Sequence, residues 1–167
     1  MAALRDELVE GALDREIAEK VFAAIDDLFR HDAVLFEVDA NERSISHCLA
    51  RYLTLRFADW DVDCEYNRDG HAPKRLLLAQ PAVDAADTDG ARVFPDIIVH
   101  HRTRADNLLV IELKKSTSKV SDEADHAKLR AFRGELGYRH ALFLRFACGT
   151  DKPAVVTADW YGREDDA

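Results

Sequence analysis

Leu4, Leu8, Leu13, Ile17, Val21, Ile25 and Leu28 recur at threes, fours and one five, with Asp, Glu, Arg and Lys between them. That spacing predicts an amphipathic helix from about residue 4 to 30 with a strongly acidic polar face. A second helix is expected from about 41 to 57, capped by Asp39 or Asn41, with Ile45, Leu49, Tyr52 and Leu53 on one stripe and Glu42 on that stripe too. The period then changes to two. Trp60, Val62, Cys64 and Tyr66 alternate with Asp61, Asp63, Glu65 and Asn67, which predicts a half-buried strand ending at the Asp69-Gly70 turn signal. The run RLLLA at 75–79 reads as a short strand or a packed loop, and 81–90 is a polar excursion. Segments 95–102 and 108–115 are strands joined by TRADN, a length that suits an antiparallel hairpin. A third helix is expected from near Ser121 to about Leu136, ending at Gly137, with Ala124, Ala127, Ala131 and Leu136 as a small-residue face near Leu129 and Phe132. Two more strands follow at 140–147 and 154–160. The order of helix, helix, three strands, helix and two strands predicts an α/β sandwich with a mixed sheet.

At 167 residues and 47% apolar, the chain can bury a core without metal or disulfide staples. No repeat or Gly/Ser-rich linker divides it. The expectation is a single domain over 1–167, with 1–40 an acidic helical extension and 41–160 the core. The start, MAALRDELVE, has acids where a secretory leader needs a basic then apolar run, and no stretch approaches a membrane span. A soluble, cytoplasmic protein without membrane contact is expected. Cys48, Cys64 and Cys148 show no CxxC spacing and read as reduced, packed thiols.

The net charge of -9 argues at first against a polyanionic partner. Its distribution changes that. Residues 1–40 hold 11 acids and 4 bases, and Glu164, Asp165 and Asp166 add three more acids, leaving 41–163 close to neutral with 18 acids and 19 bases. A near-neutral middle segment accepts a polyanion if a cation helps.

The chemistry concentrates in the hairpin. Glu112 and Lys114 project from one face of their strand while Leu109, Ile111 and Leu113 project from the other. Glu112 thus interrupts an apolar run, where an unpaired carboxylate would cost several kcal/mol, so it needs a cation. If Asp96 lies alongside, two carboxylates converge and repel unless a metal or a shared proton joins them. All-oxygen donors without Cys or His favour Mg²⁺ or Mn²⁺, with the Leu113 carbonyl as a further ligand. Lys114 can then act on a water or an oxyanion beside the metal, which is the equipment for phosphodiester hydrolysis.

The arrangement FPD at 94–96, fifteen residues, then ELK at 112–114 resembles the PD-(D/E)xK nuclease superfamily over roughly residues 41–147. The resemblance implies the restriction-endonuclease-like fold: a three-layer α/β sandwich with a mixed central sheet and flanking helices, here with an extra N-terminal helix. It also implies a metal-dependent nuclease with Asp96, Glu112 and Lys114 as the catalytic set, Glu42 completing the site from the preceding helix, and Asp125 and Lys128 approaching it. The implied partner is nucleic acid, with DNA as the first expectation.

Each residue also has a plainer reading. Glu112 and Lys114 could be a surface charge set, Asp96 a strand-start residue and Glu42 a capping-box carboxylate. His100 shares a face with Asp96 and is a candidate substrate contact. Lys115, Lys119, Lys128, Arg130 and Arg133 form a loose basic group around the third helix, of which Lys115, Lys119 and Lys128 are the candidates for phosphate contacts. The lack of a basic surface points to a homodimer or a partner protein that brings the substrate. The competing expectation is a catalytically silent nuclease-like fold that serves as an interaction module and docks through the acidic first helix.

Overall fold

The computed structural model describes residues 2–66, 68–69, 72–73, 75–76, 91–92 and 94–161. The helices are α1 (Ala2–Glu10), α2 (Arg15–His31), α3 (Val34–Glu37), α4 (Glu42–Arg56) and α5 (Glu123–Leu136). The strands are β1 (Asp61–Cys64), β2 (Arg68–Asp69), β3 (Ala72–Pro73), β4 (Arg75–Leu76), β5 (Ala91–Arg92), β6 (Ile97–His100), β7 (Asn107–Lys115), β8 (His140–Phe146) and β9 (Val155–Tyr161).

The single N-terminal helix expected from the leucine spacing is two helices. The break falls where that spacing lengthens to five. Asp14 caps α2, its Oδ1 accepting from the backbone N–H groups of Glu16 and Ile17 at 2.9 and 3.3 Å, and Leu13 is left 61% exposed. Beyond the break, Ile17, Ala18, Val21, Ala24, Ile25 and Leu28 are buried as one stripe. Leu8 is buried too, and its carbonyl accepts from Trp160 Nε1 at 2.9 Å, which ties α1 to β9. The acidic segment is therefore packed into the same core as α4 and the sheet. Several of its carboxylates are paired, Asp27 with Arg56 of α4 and Asp26 with Arg30 among them.

Five strands form a mixed sheet in the order β1-β6-β7-β8-β9. β6 and β7 are the expected antiparallel hairpin, while β7 and β8 run parallel with α5 as the crossover between them. The central position of β7 explains its nearly unbroken apolar sequence, since both of its faces are covered. Ile97, Val99, Leu109, Ile111, Leu113, Leu142 and Leu144 pack with α2 and α4 on one face. Ile98, Val110, Ala141 and Phe143 pack with Leu129 and Phe132 of α5 on the other. The fold is thus α/β, a mixed sheet flanked by helices on both faces.

Two local expectations need correction. Of the small-residue face of α5, Ala131 and Leu136 pack beside Leu129 and Phe132 against the sheet, but Ala124 is exposed. Tyr66 does not continue the apolar face of Trp60, Val62 and Cys64. Glu65 adopts φ 49°, a left-handed turn that ends β1 and sends Tyr66 to the α5 side, where its ring lies 4.9 Å from that of His100. Of RLLLA, 75–76 pair with 91–92 and 77–79 lie outside the described residues, as does the whole 81–90 excursion. Gly137 ends α5 as expected, at φ 66°. No described helix is long and apolar enough to cross a membrane.

Because the Asp14 side chain satisfies two N–H groups at the start of α2, Asp14→Ala should lower stability by about 1 kcal/mol. Urea unfolding followed by circular dichroism checks this, with an unchanged slope expected.

Candidate active site

Pairing of Ile97 with Ile111 sets the register that brings Asp96 and Glu112 to one face, the α5 side. Asp96 lies just before β6 begins. Its Oδ2 accepts from the Leu113 N–H at 2.9 Å, replacing the ladder bond a longer β6 would make. The N–H and C=O of one strand residue leave the chain on the same side, so the Leu113 carbonyl also faces the Asp96 side of β7. Pro95 is fixed from behind, its carbonyl accepting from the Glu65 N–H at 3.0 Å.

Glu112 is 2% exposed, and its Oε2 is 3.1 Å from Lys128 Nζ of α5. Its Oε1 is buried and has no hydrogen-bond partner among the described residues. Burial pushes the Glu112 carboxyl up to about 8, with the neighbouring Asp96 and Asp125 raising it further and Lys128 only partly offsetting them. Asp96 is pushed up to about 6 by burial, against the Leu113 N–H and Lys128, with Glu42 and Asp125 adding to the rise. The two carboxyls therefore interact, and both acids favour a proton or a cation.

Lys114 projects to the same face but is 5% exposed and turned towards the start of α5. Its ammonium donates to the Ser121 carbonyl at 2.8 Å and to Asp125 Oδ2, with Asp122 at 3.6 Å. Asp125 Oδ1 is 3.5 Å from Lys128, so Asp125 links the two lysines. Lys128 is a candidate phosphate contact by its charge and is expected beside the site, with Asp125, by the family resemblance; its bond to Glu112 follows from its place on the inward stripe of α5, with Asp125, Leu129 and Phe132 at helical spacing.

Glu42 reaches the site from α4. Asn41, rather than Asp39, caps that helix, accepting from Ser44 N–H at 2.9 Å. No capping box forms. Glu42 Oε1 instead accepts from the Lys115 N–H at 3.1 Å, at the end of β7. Asp39, at φ 52°, binds Lys115 Nζ at 2.9 Å and the Thr117 hydroxyl at 2.9 Å. Asp39, Asn41, Glu42, Lys115, Thr117 and Ser118 line an open cleft of about 330 Å³.

One expected contact lies apart. His100 is at the other end of β6, roughly 13 Å along the strand from Asp96. It is 2% exposed and bonded through Nε2 to Asp63 at 2.9 Å, so it faces the core and not a substrate. Lys119 is exposed in the loop between β7 and α5. Glu65 pairs with Arg43 at 2.7 Å and does not turn to the acids.

The donor set fits a hard divalent ion. Asp96, Glu112 and the Leu113 carbonyl offer oxygen, and Oε1 of Glu112 has a lone pair unused by the described residues. Among the described residues no group of three or more His, Cys, Asp or Glu side chains is gathered for a metal, so waters or substrate oxygens would complete the shell, as Mg²⁺ favours. No protein-family model matches this chain, and no curated protein or solved structure matches it.

An acid whose folded pKa is raised contributes its full share of stability below its unfolded value, here 4.5, and loses it as pH climbs through the folded value, about 8. The melting temperature of the wild type relative to Glu112→Gln should therefore fall steadily from pH 4.5 to 8 in metal-free buffer. A pH-independent difference between the two proteins would contradict the assigned environment of Glu112.

Proposed function

We propose that this chain is a divalent-metal-dependent nuclease of the PD-(D/E)xK type with a restriction-endonuclease-like fold, hydrolysing phosphodiester bonds of nucleic acid, DNA before RNA. The observation that carries the reading is the Asp96–Glu112 pair: two interacting carboxyls, one just before β6 and one on β7, the latter with a buried oxygen that has no partner among the described residues. Asp96, Glu112 and the Leu113 carbonyl would hold Mg²⁺ or Mn²⁺. When bound, the ion activates water and offsets charge on the scissile phosphate.

The remaining duties fall to the protein. Glu42 fixes the end of β7 through the Lys115 N–H and adds a third acid beside Asp96. Lys114 is two residues from Glu112 on the same face, and from its place between the Ser121 carbonyl and Asp125 its ammonium adds positive charge to the field around the acids. Lys115, Thr117 and Ser118 offer cation and hydroxyl contacts to the substrate backbone along the cleft. Since the chain carries a net charge of -9, a second copy or a partner protein is the natural means of holding a polyanion there.

A second reading, an interaction module without chemistry, is favoured by one feature: both lysines near the acids are already engaged, Lys128 by Glu112 and Lys114 by Asp125. One assay separates the two. Circular, linear, single-stranded and branched DNA, and RNA, are incubated with the protein and Mg²⁺ or Mn²⁺. Cleavage that depends on the metal and falls by about 100-fold or more in Glu112→Gln and Lys114→Ala supports the nuclease. An absence of both cleavage and Mg²⁺ binding heat supports the module.

A further inference from the structure

The two lysines beside Glu112 are held in different ways. Lys114 is a strut: 5% exposed, its ammonium is fixed between the Ser121 carbonyl and Asp125 and joins β7 to the start of α5. Lys128 has one hydrogen bond, to Glu112 Oε2 at 3.1 Å, and Asp125 lies farther off at 3.5 Å. Its side chain is 28% exposed, against 2% for the carboxylate it serves. A lysine on a four-carbon stem at the edge of solvent can carry its ammonium into water by changing rotamers, without moving the helix.

When ionised, Glu112 cannot do without a cation, because a carboxylate that deeply buried is costly alone. In this structure Lys128 is that cation. An ammonium and a divalent ion on one carboxylate repel strongly at short range in a low-dielectric setting. We propose that Lys128 is a positioning residue that stands in for the divalent ion: its ammonium holds Glu112 oriented towards Asp96 in the ion's absence and withdraws to solvent when Mg²⁺ binds Glu112 and Asp96. The inference rests on the metal-binding reading above. It gives the site a counter-ion at every stage, so that Glu112 is never left buried and bare.

The test follows the ammonium itself. The protein is acylated briefly with an N-hydroxysuccinimide acetate, with and without saturating Mg²⁺, and the modification of each lysine is quantified by peptide mass spectrometry. Calorimetry on the same samples measures Mg²⁺ binding. Saturation should speed labelling of Lys128 by about tenfold, as loss of one charge-assisted hydrogen bond allows, and leave Lys114 protected. In Glu112→Gln, Lys128 should be labelled quickly whether or not Mg²⁺ is added, with protection of Lys114 reporting an intact fold. In Asp96→Asn, the response of Lys128 to Mg²⁺ should be lost. If Mg²⁺ binds and Lys128 labelling is unchanged or slower, the exchange is overturned and metal binding stands. If the wild type gives no binding heat, both fall together.

Discussion

A carboxylate in the middle of the sheet's central strand is the constraint around which this fold is arranged. Glu112 occupies a position that burial would otherwise give to Val or Ile, with Val110 before it on the same face and Phe143 beside it on β8. Burying that group in its ionised form is made tolerable by α5, which brings Lys128 over it, while Asp125 secures Lys128 and Lys114 together. The crossover helix is thus both hydrophobic cover and electrostatic cover. Leu129 and Phe132 supply the first, and the residues one helical turn earlier supply the second.

The opposite face of the sheet has a different task. There α2 and α4 bury Ile, Leu and Val side chains with no charge among them, and the ion pairs of these helices are confined to their margins, as between Arg56 and Asp27. That side sets the height of the sheet and presents the start of α4, where Glu42 takes the Lys115 N–H. Polar and apolar demands are thereby separated by sheet face, which lets an acid cluster persist without weakening the main core.

Much of this was legible in the chain. The β6–β7 hairpin followed from two apolar runs and a short polar connection, and the meeting of Asp96 with Glu112 followed from its register. The helix break at Asp14 was not legible: the one irregular leucine interval is compatible with a continuous helix until the Asp14 cap is seen. The departures have physical causes that periodicity does not carry. Glu65 takes a left-handed backbone without being glycine, so nothing in the alternation announces that Tyr66 changes sides. Which lysine meets Glu112 depends on the rotation of α5 about its own axis, and that is set by Leu129 and Phe132 finding their places on the sheet. His100 shares parity with Asp96, but parity says nothing about distance along the strand, nor that Asp63 would claim the ring.

The left-handed turn at Glu65 has one more result. β1 stops there, and the chain rejoins the sheet at Pro95, whose carbonyl accepts from Glu65, immediately before Asp96. The end of β1 and the residue before Asp96 are thereby pinned to each other at the rim where the acids meet. Any shift of that turn is therefore carried through one backbone hydrogen bond to the neighbour of Asp96, so the end of the sheet's edge strand helps to decide where an acid of its interior sits.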